Sequence, residues 1–416
     1  MGHLKVLHTA DWHLGMTLCG RRRDAEAEAF LTWLTGVIQQ EEVDLLLVTG
    51  DIFDNATPST RSQTLYYQFL TAASAAGCRY IIITAGNHDS PAFLEAPQEI
   101  LAALNIHVVG TVGEDRPGST FLLSAPNGKP DLIVAAVPYI RDRDIRRSAP
   151  GASIQERATR MREGVRSLYR DAWDAACALQ PTAGPTVPVI ITGHLFAAGG
   201  TTIDGDGVRD RIAGCIERVG ADIFAEEAAY VALGHLHVPQ SVGGIETIRY
   251  PGSPVPVGFG EAEQQKEVIL VTTTPGMPAA VRSVSVPQFH RLATIQGDLP
   301  TIHRRIQTLK ETGSPVWAEV IYDGAAIPGD LMGTVSAMAE GTGIEILKVK
   351  NARLVSAALS AYQSCEELAE LTENEVFERC METAEIPSDQ QGRLMTAFQE
   401  ILREIDTDEP SGGERA

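Results

Sequence analysis

The sequence lacks several features that would settle its class at once. Its six cysteines (Cys19, Cys78, Cys177, Cys215, Cys365 and Cys380) are scattered, with no C-x-x-C pair among them. That spacing excludes a zinc-ribbon or disulfide framework and predicts reduced thiols. No run approaches the ~20 consecutive apolar residues a membrane-spanning helix requires. The chain also begins on a strand-like KVLHTAD, without a charged leader and apolar stretch. The expectation is a cytoplasmic protein with no membrane segment and no secretion signal. Aromatic residues make up only 6%, and no basic stripe interleaved with aromatics marks a single-strand binding groove. Positive charge is scarce: 34 Lys and Arg against 54 Asp and Glu give a formal charge of −20. Net charge therefore cannot capture a polyanion. Any phosphate ligand must be drawn by a local arginine cluster or by bound cations.

What is present is a long and ordinary globular chain. Its 416 residues, 44% hydrophobic, allow two or three domains. As far as about residue 280 one unit repeats: an apolar strand, a short polar turn, a helical stretch. The predicted strands are Lys5–Thr9, Val43–Thr49, Tyr80–Thr84, Ile133–Val137, Val187–Thr192 and Tyr230–Leu233, with a β-rich part around Glu267–Thr273. Near-continuous Val/Ile/Leu runs predict strands buried on both faces of a layered α/β domain, residues 1–285. Over 286–352 the alternation RLATIQ, LPTIHRRIQTLK, VWAEVIY, PGDLMGTVSAMA, IEILKVK predicts a small α+β domain. Two helices follow in 353–406, each opened by a capping box, Thr372-x-x-Glu375 and Ser388-x-x-Gln391, and separated by Pro387. The second carries an apolar stripe at Leu394, Phe398, Ile401, Leu402 and Ile405. The polar tail 407–416 reads as disordered.

The chemistry gathers at the ends of the strands. After KVLHTA comes Asp11-Trp12-His13, and after VDLLLVT comes Gly50-Asp51 with Asp54 three residues on. YIIITA ends in Gly86-Asn87-His88-Asp89, VPVIIT in Gly193-His194, and AAYVAL in Gly234-His235-Leu236-His237. In open α/β sheets that edge is where ligand sites assemble. Asp, His and Asn supply O and N donors for Mn²⁺, Fe²⁺ or Zn²⁺. A single histidine after an apolar strand is more often packed or capped than ligating. Here five of the ten histidines fall at strand ends, which packing alone does not produce. The glycines at 50, 86, 193 and 234 are read as sharp turns just before the donors. Asp89 is assigned to local hydrogen bonding, and His3, His8, His107, His290 and His303 to structural or surface roles.

The ordered series D-x-H, G-D-x-x-D, G-N-H-D, G-H and G-H-x-H resembles the calcineurin-like metallophosphoesterase superfamily. The longer blocks HTADWHLG, VTGDIFDNATPS, TAGNHDSP, ALGHLHVPQ and RYPGSPVPVGFGE are similar to its bacterial nucleases of double-strand-break repair. The resemblance implies a β-sandwich flanked by helices, with the small α+β domain as a cap and a C-terminal helical pair. It implies that Asp11, His13, Asp51 and His237 hold one metal and Asp51, Asn87, His194 and His235 a second, Mn²⁺ being the expected ion. His88 is then a non-ligand catalytic residue that assists the leaving group. Asp54 stands where archaeal and eukaryotic relatives tend to carry histidine. It is read either as the acceptor that orients His88 or as a cap for the following segment.

The implied activity is Mn²⁺-dependent DNA cleavage, exonuclease on double strands and endonuclease on single strands and hairpins. The implied partners are DNA, an SMC-like ATPase gripped by the C-terminal helices, and a second copy of the chain near Ala92–Leu104. That segment is read from spacing as an amphipathic helix. A phosphoesterase acting on a small molecule or phosphoprotein shares the same metal motifs and is the alternative. The clusters Arg21-Arg22-Arg23 and Arg141-Asp142-Arg143 with Arg146-Arg147 are candidates for phosphate contact.

Overall fold

The computed structural model describes residues 4–112, 119–125, 127–145, 154–182, 186–197, 219–311, 313, 315–324 and 329–353, with 377, 381, 391–392, 394–396 and 398. The chain forms two compact units, Met1–Leu292 and Ala293–Ala416. In the first, β1 (Leu4–Thr9), β2 (Thr17–Leu18) and β3 (Arg21–Arg22) precede α1 (Asp24–Glu41). Then follow β4 (Leu45–Thr49), α2 (Thr60–Ala75), β5 (Tyr80–Thr84), α3 (Pro91–Glu95), α4 (Gln98–Ala102) and β6 (Ile106–Val109). The second half adds β7 (Thr120–Ser124), β8 (Pro130–Ala135), α5 (Asp142–Ile145), α6 (Ile154–Ala178), β9 (Val189–His194) and β10 (Tyr230–Gly234). It closes with β11 (Gln240–Val242), β12 (Ile245–Tyr250), β13 (Glu267–Thr274) and β14 (Met277–Ser285).

Twelve of these strands form two six-stranded sheets, ordered β14-β13-β1-β4-β5-β6 and β11-β12-β10-β9-β8-β7, while β2 and β3 pair with each other. Within the first, β1, β4, β5 and β6 run parallel; within the second, β8, β9, β10 and β12 do. Alternate residues explain why the strands read as unbroken apolar runs. Leu45 and Leu47 join Val6, Ile82, Val134, Ile190 and Ala232 between the sheets. Leu46 and Val48 turn the other way, onto Phe30, Leu34, Ile38 and Phe69 of α1 and α2. On the second sheet Ile191, Val231 and Leu233 pack outward with Val165, Leu168 and Tyr169 of α6. The result is four layers, helix–sheet–sheet–helix, which is the layered α/β class expected from the sequence.

His8 ties the two sheets together. Its Nδ1 pairs with Tyr230 Oη at 2.9 Å and its Nε2 with Thr49 Oγ1 at 3.0 Å. Burial pulls its pKa down to about 3, so the ring is neutral and structural, as expected. The segment Ala92–Leu104 departs from expectation: it is two short helices, because Pro97 lacks an N–H to continue the first. Leu94 and Leu101 are buried, while Ile100 and Leu104 are exposed.

The second unit carries the predicted strand–helix alternation: β15 (Arg291–Gly297), α7 (Leu299–Lys310), β16 (Val316–Tyr322), α8 (Leu331–Ala339) and β17 (Ile344–Asn351). Asp298 caps α7 by accepting from Thr301 N, and Asp330 caps α8 from Gly333 N. The sheet order is β15-β16-β17, with β16 and β17 parallel over a core including Ile302, Ile306, Val320 and Val335. Most of the predicted helical pair, including Thr372, Pro387, Ser388, Ile401, Leu402 and Ile405, lies outside the described residues, as does the 407–416 tail. Phe377 and Phe398, both helical, stack with ring centroids 4.1 Å apart. Among the described residues no helix is long and apolar enough to cross a membrane.

Candidate metal centre

Because β1, β4 and β5 are parallel neighbours, the loops beyond their carboxyl ends lie side by side. The β1 and β4 loops are laced together: Asp11 N donates to Gly50 O, His13 N to Asp51 O, and Leu14 N to Ile52 O, at 2.9–3.0 Å. Asp89 joins the β5 loop to them, accepting from Gly86 N at 2.8 Å, Ile52 N at 3.2 Å and Phe53 N at 3.0 Å. Burial together with the Asp51 charge pushes its carboxyl up to about 6. Four of the predicted donors have left-handed backbone: Asp11 (φ 54°), His13 (45°), Asp51 (50°) and His235 (104°). Each such conformation costs ~1–3 kcal/mol, which surrounding structure must supply. Of the four glycines expected to be turns, only Gly50 has a positive φ, +90°. The others serve close approach; at Gly234 a Cβ would fall on the Thr49 carbonyl oxygen.

The second sheet brings His194, His235 and His237 against these loops. His13 Nε2 and His237 Nε2 face each other at 3.2 Å, and Asp11, His13 and His237 present ligand atoms to a common point. Asp51, His194 and His235 form a second such group, with His194 Nε2 3.3 Å from Asp51 Oδ2. Asn87 Oδ1 sits 3.0 Å from both His194 Nε2 and His235 Nδ1. Asp11 accepts the His235 backbone N–H at 3.0 Å. All seven residues assigned as ligands therefore meet in one place. His88 also approaches, forming a third group with His13 and Asp51.

The donor chemistry fits a cation. His194 Nδ1 lies 2.9 Å from the Thr49 carbonyl, which can only accept, so Nδ1 carries the proton. A neutral His194 then aims its Nε2 lone pair at two oxygens, Asn87 Oδ1 and Asp51 Oδ2. Lone pairs converging in a buried site are stable only around a proton or a metal ion. Burial opposes a charge on His194, but Asp51 overrides it and raises the pKa to about 9. Asp51, although buried, is held below the usual carboxylate range by His194 and His13. Mixed His, Asp and Asn donors suit Mn²⁺, Fe²⁺ or Zn²⁺.

Asp54 does not do what was expected of its side chain. His88 Nδ1 donates to the main-chain carbonyl of Asp54, at 2.8 Å. The Asp54 carboxylate faces His13 Nδ1 instead, at 3.4 Å. The reason is geometric: the Asp54 N–H is held by Leu14 O, which swings the side chain toward the β1 loop. His88 is fixed a second time by its own N–H, which donates to Asp51 Oδ1 at 2.9 Å.

Sequence alone assigns no role to Glu261 and Lys266, a buried ion pair directly behind His237. Glu261 lies in the block RYPGSPVPVGFGE, but nothing in its spacing ties it to a donor. The arginine clusters fare unevenly. Arg23 is buried against Glu26 and the Pro256 carbonyl, which removes it from any phosphate surface. Arg21 and Arg22 are exposed, Arg22 pairing with Asp24 at 2.7 Å. Arg141 donates to the Asp89 carbonyl at 3.4 Å, and Arg146 and Arg147 lie outside the described residues.

Comparison with known proteins accords with this geometry. The family profile described as calcineurin-like phosphoesterase matches residues 4–239. A second, described as type 5 capsule protein repressor C-terminal domain, matches residues 288–385. The chain is 33% identical over 404 residues to the SbcD subunit of nuclease SbcCD from Escherichia coli (strain K12), covering 97% of this chain and 98% of that protein. It is 38% identical over 295 residues to the corresponding nuclease subunit of Rhodobacter capsulatus, covering 68% of this chain and 70% of that protein. The counterpart from Bacillus subtilis (strain 168) is 33% identical over 282 residues, with 68% and 69% covered.

Proposed function

This chain belongs to the calcineurin-like phosphoesterase family, among the SbcD subunits of SbcCD nucleases, and from that premise we propose that it is the nuclease subunit of an SbcCD-type complex. The observation that carries the proposal is the match to the Escherichia coli SbcD subunit along 97% of the chain, both units included. A phosphatase of the same superfamily would share the strand-end donors but has no need of the second unit. The substrate is DNA, cleaved from double-strand ends and within single strands and hairpins. The partner is an SbcC-type SMC-like ATPase, engaged through the helices of 353–406, and the working form is a homodimer. The chain acts in the cytoplasm, at the nucleoid.

Asp11, His13, Asp51 and His237 would hold one Mn²⁺ and Asp51, Asn87, His194 and His235 a second. Bound there, the ions would supply positive charge for the phosphate oxygens and lower the pKa of a nearby water. Such local charge would let a chain of net charge −20 accept a phosphodiester. The protein's own part lies in orientation and proton transfer. Asp51, caught between His13, His194 and the His88 N–H, keeps one carboxylate available to both donor groups. With Nδ1 committed to the Asp54 carbonyl, His88 has Nε2 left to carry the proton for the departing oxygen.

The test is direct. The purified chain is incubated with Mn²⁺ and blunt, hairpin or single-stranded DNA, with and without the ATPase partner and ATP, beside a cyclic-nucleotide control. Cleavage of DNA is expected. DNA left intact under every condition, with the cyclic nucleotide hydrolysed, would establish the small-molecule phosphoesterase instead.

A further inference from the structure

Behind His237 lies a charge cluster that takes no part in the donor set. Glu261 and Lys266 are buried and paired through Glu261 Oε2. Lys266 Nζ also donates to the His237 carbonyl at 3.0 Å, to Ser253 Oγ at 3.1 Å and to Gln264 Oε1 at 3.0 Å. Glu261 Oε2 accepts from Ser253 Oγ at 3.1 Å and from Val257 N at 3.2 Å. One carboxylate oxygen is thus fully engaged. The other, Oε1, is buried, accepts no hydrogen bond among the described residues, and faces His237 Nδ1 at 3.6 Å.

A buried ion pair is seldom an efficient source of stability, since apolar residues of similar volume often serve as well or better. This pair grips a histidine from two sides, the ammonium at its backbone carbonyl and the carboxylate at its ring. An anion facing Nδ1 favours the tautomer protonated there. That leaves the Nε2 lone pair directed at the point shared with His13 Nε2, 3.2 Å away. His194 is oriented differently, by the Thr49 carbonyl, so the two donor groups have separate supports.

With the two-ion reading as its basis, we infer that Glu261 is a positioning residue. It fixes the tautomer and ring direction of His237 for the ion shared with Asp11, His13 and Asp51, and Lys266 anchors it. Removing the outer partner of a metal-bound histidine typically costs ~10–100-fold in metal affinity.

The experiment strips the full chain of metal and measures Mn²⁺ bound per chain by equilibrium dialysis, for wild type and Glu261→Gln. The variant is expected to weaken one of two bound ions roughly ten- to hundredfold and to leave the other at wild-type affinity. Two unaltered ions would overturn the inference, as would equal weakening of both, which marks a general structural role. Where Glu261→Gln leaves Lys266 uncompensated and unfolds the chain, Glu261→Gln with Lys266→Met removes both charges and is judged by the same outcomes. A wild-type chain binding fewer than two ions fails the two-ion reading before any variant is compared, and the inference falls with it.

Discussion

Asp54 holds His88 by its main-chain carbonyl, which accepts from His88 Nδ1 at 2.8 Å. A side-chain substitution therefore leaves that bond in place and alters only what the carboxylate touches, His13 Nδ1. Asp54→Asn is expected to raise the Mn²⁺ concentration for half-maximal cleavage by up to about tenfold, the low end for such supports. The rate at saturating Mn²⁺ and its pH profile should stay near wild type. A shifted profile at saturating metal would return the carboxylate to the proton chemistry of His88.

His88→Ala should behave in the opposite way. The ring's Nδ1 bond goes to the Asp54 main chain and His88 is outside the assigned ligand set, so both ions should remain. Loss of a general acid typically lowers rate by ~10²–10⁴. Mn²⁺ stoichiometry by dialysis and single-turnover DNA cleavage check the two halves. A variant that cleaves at the wild-type rate removes His88 from the mechanism, and one that loses an ion reassigns it to the His13–Asp51–His88 group.

The strands and their polar ends are legible because burial on both faces leaves a run such as Leu45–Val48 without alternation, and the donors follow at once. Order along the chain cannot show that Asp54 offers its carbonyl rather than its carboxylate, because that choice depends on Leu14 O taking the Asp54 N–H. Nor can it show Glu261 behind His237, since the two are brought together only by the folding of the 252–266 segment. Gly86, Gly193 and Gly234 look like turn residues, yet their need is for contact with Asp51, Tyr169 and Thr49. Sequence carries local backbone preference well; it carries tertiary approach only by coincidence of spacing.

Arg21, Arg22 and Arg23 form one basic cluster in sequence, and the fold separates them. Arg23 donates to Glu26 and to the Pro256 carbonyl inside the protein, tying α1 to the loop that precedes Glu261. Arg23→Gln leaves Glu26 as an unpaired buried charge and is expected to cost ~3–5 kcal/mol. Arg22→Gln removes an exposed guanidinium from a half-buried Asp24 and should cost no more than ~1 kcal/mol. Urea unfolding of both variants measures the difference; similar stabilities would return Arg23 to the surface.

His8 supplies a pH dependence that lies apart from the donor cluster. Its ring bridges Tyr230 Oη and Thr49 Oγ1 between the sheets, and burial lowers its pKa from 6.5 to about 3. Between those values the unfolded chain binds a proton at this position and the folded chain does not. Stability therefore falls as pH drops from 6.5 toward 3, by up to ~1.4 kcal/mol per pH unit from this group. His8→Gln retains polar atoms for the bridge but cannot take up a proton. It should lower stability at pH 7 and reduce the loss between pH 7 and pH 5, measured by urea unfolding of the metal-free chain at each pH. Equal losses in variant and wild type would mean that His8 is protonated in the folded protein as readily as in the unfolded one.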